Sequence, residues 1–154
     1  MLARNVGNNF PIAETLFNCA ILVSCSARLT AALFSLRELT ENKITLVFGC
    51  GGGRDRFKRP IMGEIAENFA DGIIVTDDNP RNEDSDKIRK SILETCPSAI
   101  EIPNRKEAII TAINQGEKGD SILIAGKGHE KFQIISDKKI PFSDQEIIRE
   151  VIGD

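Results

Sequence analysis

Short apolar runs recur along this chain, and most of them end at a glycine or a polar word. Residues 43–48 (KITLVF), 72–76 (GIIVT) and 121–125 (SILIA) are continuous runs of the kind expected of strands buried on both faces. Residues 99–102 form a weaker fourth run. Between the runs, apolar residues fall at helical spacing. Leu33, Leu36 and Leu39 predict a helix over 29–41, and Ile61, Ile65 and Phe69 predict one face of a helix over 60–70. Pro60 suits the first turn of that second helix. Ile88 and Ile92 support a helix over 85–95, and Asn104 with Glu107 resembles a capping box opening a helix over 104–115. Near the end, 132–135 and 139–142 read as a hairpin turning at Asp137-Lys138. A last helix follows over 143–152, with Ser143 and Glu146 placed as a second capping box.

Strand-helix units repeated at this length predict an α/β, Rossmann-like fold: a mainly parallel sheet with helices on both faces, plus a C-terminal hairpin. Residues 1–28 break the pattern. The stretch 1–15 is polar and asparagine-rich, and 17–26 is apolar without a settled register. The expected organisation is therefore an atypical segment over 1–28, an unsupported arm or an edge strand, followed by one domain over 29–154.

Composition narrows the class. With 41% hydrophobic and 28% charged residues, the 154-residue chain reads as one soluble globular domain. Its net charge of -3 argues against a nucleic-acid partner, and no apolar run is long enough for a membrane span. Cys19, Cys25, Cys50 and Cys96 lack C-x-x-C spacing, and a single histidine makes a zinc site improbable. Scattered thiols fit a reducing, cytoplasmic setting.

Three polar words follow the three strong strand candidates: Gly49-Cys50-Gly51-Gly52-Gly53-Arg54, Asp78-Asn79-Pro80-Arg81 and Gly126-Lys127-Gly128-His129-Glu130. In open parallel sheets, ligands bind beyond the carboxyl ends of the strands, where these words lie. Alone, the glycine word is as readily a tight turn as an anion loop. Arg54, Arg56, Lys58 and Arg59, opposed only by Asp55, make it locally basic just before a helix start that itself favours anions. In the second word, Pro80 fixes a turn and aims Arg81, whose planar fork suits a carboxylate, while Asp78 can accept from an ammonium. In the third, Glu130 can pair with an amine; a lone histidine such as His129 is more often structural. No Gly-x-x-x-x-Gly-Lys-Ser/Thr phosphate loop occurs. The combination fits recognition of a small zwitterion.

These residues resemble the C-terminal domain of the Mur ligases. The match runs through Val47-Phe48-Gly49-Cys50-Gly51-Gly52, Arg54-Asp55, Lys58-Arg59-Pro60, Met62-Gly63, Val75-Thr76-Asp77-Asp78-Asn79-Pro80-Arg81 and Ala125-Gly126-Lys127-Gly128-His129-Glu130. The resemblance implies part of a cytoplasmic, ATP-dependent amide-forming ligase of peptidoglycan synthesis. Such an enzyme adds meso-diaminopimelate to UDP-N-acetylmuramoyl-L-alanyl-D-glutamate. The arginine of Asp78-Asn79-Pro80-Arg81 marks the diaminopimelate-adding type, because that amino acid differs from lysine by one distal carboxylate. By the same resemblance, Arg54, Asp78, Asn79, Pro80, Arg81, Gly126 and Glu130 form the amino-acid pocket, with Arg54 and Arg81 on carboxylates.

Several family features lie outside this sequence. The ATP- and magnesium-binding domain and the uridine-nucleotide domain have no counterpart among these 154 residues, so neither ATP nor Mg2+ is expected to bind tightly here, and no ligase activity is expected of the chain alone. Two alternatives stand beside cooperation with a separate ATP-binding chain: a non-catalytic remnant, and a small-molecule binding module. Val23-Ser24-Cys25-Ser26-Ala27-Arg28 stands where the family carries Asp-Tyr-Ala-His-Thr-Pro. Codons for Tyr-Ala-His-Thr-Pro-Asp, read two bases late, can spell Cys-Ser-Tyr-Ala-Arg, close to Cys25-Ser26-Ala27-Arg28, which makes frame-shifted translation a reading of the first 28 residues. Gly53 replaces a usual acidic residue, and Phe57 a usual glycine. The first is expected to loosen the Arg54 region and the second to crowd it.

Overall fold

The computed structural model describes residues 3–6, 26–128 and 130–153. Most of the stretch before Ser26, and His129, lie outside these residues. Five strands form one sheet in the order β1-β5-β2-β3-β4. Here β2 is Ile44–Phe48, β3 Gly72–Val75, β4 Ile100–Glu101 and β5 Asp120–Ile124. These four run parallel, as the alternating pattern predicts. The fifth, β1 (Ala3–Val6), pairs antiparallel with β5 and forms one edge.

Alternation along β2, β3 and β5 feeds two cores. Ile44, Leu46 and Phe48 of β2, Ile73 and Val75 of β3, and Leu123 of β5 face one side. There they meet α1 (Ser26–Leu39), α2 (Lys58–Phe69) and Ile92 of α3 (Ser85–Leu93). Val47, Ile74, Ile122 and Ile124 face the other side, against α4 (Arg105–Gln115) and α5 (Asp144–Ile152). Covering both faces is why these strands read as unbroken apolar runs.

The elements differ from the sequence reading in three places. Helix α1 begins at Ser26, inside the segment expected to be atypical. Helix α2 buries Met62, Gly63 and Ala66, whereas Ile61 is 45% exposed and Ile65 is half-buried. Ile65 and Phe69 pack against the same core at its margin, so of the three expected residues only Ile61 lies off the packing face. The hairpin of β6 (Phe132–Ile135) and β7 (Lys138–Pro141) turns at Ser136-Asp137, one residue earlier than expected, with Ser136 at φ 53°.

The caps follow the sequence reading more closely. The Asn104 side chain accepts from the N–H groups of Lys106 and Glu107, and Ser143 accepts from that of Glu146. No helix among the described residues is long and apolar enough to cross a membrane.

Candidate functional site

Strands β2, β3 and β5 end side by side, so their three following loops meet. They enclose a cavity of ≈ 410 Å3, within the usual range for small-ligand sites. Arg54, Asp78, Asn79, Arg81, Gly126 and Glu130 all line it. Pro80, the seventh expected residue, is buried outside the lining. Its carbonyl accepts from Glu83 N–H and stands 1.9 Å from where a Cβ on Gly52 would lie. Proline's role is to shape the wall, and only glycine at 52 lets the two loops come this close.

The first two loops are sewn together. Gly52 N–H donates to Asn79 O (2.9 Å), and Arg81 Nη1 donates to Gly52 O (2.7 Å). Gly53 N–H donates to Glu83 Oε1 (2.6 Å), while Arg59 Nη2 donates to Glu83 Oε2 (3.0 Å). Gly53 is therefore anchored through its backbone. Phe57, expected to crowd the loop, is 84% exposed. The backbone N–H groups of Gly52 and Gly53 are thereby already engaged and are not available to a phosphate.

The second and third loops meet at Asn79. Its Oδ1 accepts from Lys127 Nζ (2.7 Å) and Ile134 N–H (2.9 Å), and its Nδ2 donates to Glu130 Oε2 (2.7 Å). Lys127 is buried, reaches Phe132 O (2.6 Å) and lies 5.8 Å from the centre of the Phe142 ring. Sequence reasoning left Lys127 as one charge in a polar word, but its ammonium is the strut joining three segments. Burial pulls its pKa down, with the Asp78 and Glu130 carboxylates pulling the other way. The hairpin adds further ties. Gln133 donates to Asp78 O (2.8 Å), Arg81 N–H to Ile134 O (3.1 Å) and Ser136 N–H to Arg81 O (2.7 Å). These hold Arg81 at φ 53°, a left-handed conformation that a non-glycine residue adopts only under constraint.

Charge is distributed unevenly. Among the described residues neither Arg54 nor Arg81 has a carboxylate partner, although both line the cavity. Asp78 lines it too. Burial raises its pKa, opposed by the Arg105 guanidinium and Lys127 and reinforced by Glu130 and Asp144. Glu130 is half-exposed, 3.7 Å from Lys127 Nζ. Cys50, also in the wall, is pushed up to about 12 by burial and by Asp78, against the pull of Arg59. The cavity thus offers unpaired cations and carboxylates together, the requirement for a zwitterion.

The profile of the family described as Mur ligase, glutamate ligase domain, matches residues 26–128. This chain belongs to the Mur ligase family. Its relatives include a UDP-N-acetylmuramoyl-L-alanyl-D-glutamate--2,6-diaminopimelate ligase from Chelativorans sp. (strain BNC1), 52% identical over 120 residues, or 78% of this chain and 25% of the relative. A ligase of the same name from Zymomonas mobilis is 53% identical over 128 residues, 80% of this chain and 26% of the relative. A solved structure with that name superposes with a TM-score of 0.79 at 38% identity, covering 83% of this chain and 27% of that one. The chain thus spans about a quarter of the length of these relatives. This Mur ligase domain also shares its fold, at 14% identity and a TM-score of 0.53, with a domain from a Haemophilus ducreyi protein.

Sequence reasoning missed two other partners of the site, Glu83 and the Arg105–Asp144 pair. Glu83 carries no motif signal, and Arg105 and Asp144 are far apart in sequence; only folding joins them.

Proposed function

We propose that this domain recognises meso-diaminopimelate for an ATP-dependent ligase that attaches it to UDP-N-acetylmuramoyl-L-alanyl-D-glutamate in cytoplasmic peptidoglycan synthesis. The observation that carries the reading is the pair of cavity arginines, Arg54 and Arg81, without carboxylate partners among the described residues, beside Asp78 and Glu130. A ligand with carboxylates and ammonium groups complements that set. The names of the relatives, which specify 2,6-diaminopimelate, support this choice over another zwitterion.

In this reading Arg81 uses Nη1 on Gly52 O and turns the rest of its fork to the distal carboxylate, while Arg54 takes a second carboxylate. Asp78 and Glu130 receive an ammonium. Asn79 acts through the wall, because its side chain holds Lys127, Ile134 and Glu130. Lysine lacks the distal carboxylate, so it would leave Arg81 unpaired in a partly dehydrated site.

The domain's part is to bind and orient the amine nucleophile. The family's ATP chemistry, formation of an acyl phosphate that the amine attacks, is not assigned to this domain, whose Gly52 and Gly53 amides already donate to Asn79 O and Glu83 Oε1. The purified chain is accordingly expected to form no amide with ATP.

Calorimetric titration of the chain with meso-diaminopimelate, with lysine as control, tests the reading. Binding of meso-diaminopimelate in preference to lysine, lost in Arg81→Ala, supports it. Equal affinity for the two amino acids would refute it.

A further inference from the structure

Arg105 is the largest fully buried side chain among the described residues, and the recognition step above does not use it. Its Nε and Nη2 donate to the two carboxylate oxygens of Asp144, each at 2.8 Å, and Nη2 also donates to Ala125 O (3.0 Å). Nη1 is buried with no acceptor among the described residues. A well-packed apolar pair would fill such a space at least as stably as an ion pair. The charges therefore call for a reason beyond packing.

That reason lies at Gly126. At φ 118°, its missing Cβ leaves a gap shared by two groups. Asp78 Oδ2 is 2.6 Å, and Arg105 Nη2 3.6 Å, from where that Cβ would stand. Asp78 opens on the cavity, and Arg105 stands behind it.

We propose that Arg105 is a positioning residue for the ammonium end of the site: held by Asp144, its guanidinium backs Asp78 across the Gly126 gap and keeps that carboxylate charged toward the ligand. The groups facing Asp78 are Arg105 from α4, Asp144 from α5, Lys127 and Glu130 from the loop after β5, and Cys50 from the loop after β2. Of the cations, Arg105 opposes the effect of burial most strongly, ahead of Lys127. The inference rests on the proposed reading for the identity of the ligand, but the placement of Arg105 behind Asp78 does not.

Carboxyl-carbon NMR of the full chain, 13C-labelled at aspartate, follows Asp78 directly, with Asp78→Asn assigning the resonance. Arg105→Gln is expected to raise the Asp78 pKa by about one unit or more, and Asp144→Asn to lower it. Opposite shifts are the signature of charge, since loosened packing would move both variants the same way. Arg105→Lys, which keeps the charge and loses the fork, should titrate close to the parent. If Arg105→Gln does not fold, the Asp144→Asn and Arg105→Lys titrations decide alone. Unchanged Asp78 titration in folded variants, or shifts of one sign, would overturn the inference. Parallel titrations with meso-diaminopimelate keep the two ideas apart. No binding by the parent chain, together with opposite NMR shifts, rejects the ligand and retains the role of Arg105. Binding that persists while Asp78 titrates identically in all variants does the reverse.

Discussion

Arg81 and Asp78 do opposite kinds of work within one short loop. Arg81 sits at a positive φ, one nitrogen committed to Gly52 O and the remainder facing the cavity. Arg81→Lys keeps the charge but loses the fork, and should weaken meso-diaminopimelate binding by roughly tenfold or more in calorimetry. Asp78 is held against its own stability. Its raised pKa means that the folded chain retains the proton more readily than the unfolded chain. Its contribution to stability is then full below the ordinary carboxylate range and is lost as pH rises through the folded value. Asp78→Asn should consequently stabilise the chain by about 1 kcal/mol at pH 7 in urea melts while abolishing ligand binding. The gain should vanish in acid; a gain of the same size at low pH would show that charge is not the cause. Cys50, pushed up to about 12, should resist alkylation at pH 8 in the folded chain and react once unfolded, read by peptide mass spectrometry.

At the scale of elements, the site is a joint between three strand ends and a hairpin. The β6–β7 hairpin buries little of itself but holds Asp78, Asn79, Arg81 and Lys127 through its backbone and Gln133. Lys127→Met would leave Asn79 Oδ1 and Phe132 O without the ammonium. It should cost about 1–3 kcal/mol and speed amide exchange at Ile134. Unchanged exchange there would mean that the hairpin docks without Lys127. Gly52→Ala drives a methyl into Pro80 O, and should destabilise the chain by about 1–3 kcal/mol and separate the first two loops. The hairpin was legible in the sequence as two short strands, but its docking was not. The ties run from backbone amides and a glutamine to residues some fifty positions earlier, and no local pattern encodes them.

For the molecule as a whole, charge and ligand couple to stability. The chain carries a net charge of -3, yet the cavity wall gathers Arg54, Lys58, Arg59 and Arg81. An anionic group should be drawn there, and raising salt should weaken binding, as calorimetry at two ionic strengths would report. A ligand that binds only the folded chain stabilises it by about 2.7 kcal/mol at a hundredfold excess over Kd. The melting temperature should therefore rise with meso-diaminopimelate and stay constant with lysine.

Much of this protein was determined by sequence alone. Continuous apolar runs separated by helical periods specify an α/β sheet covered on both sides, because only burial on two faces removes the polar alternation. The three words at strand ends located six of the seven expected residues in one cavity wall, because parallel strands deliver their following loops to one edge. Tertiary structure decided what each residue does there. It made the Lys127 ammonium a strut to Asn79 Oδ1 and Phe132 O, and placed Pro80 behind the wall. It centred the packing face of α2 on Met62, Gly63 and Ala66 and left Ile61 outside it, and brought Arg105 and Asp144 near Asp78. The physical reason is common to all of these. A periodicity reports whether a side chain leaves water, whereas hydrogen-bond partners, small-residue contacts and the field at a buried carboxylate depend on groups distant in sequence that only the folded chain places within reach.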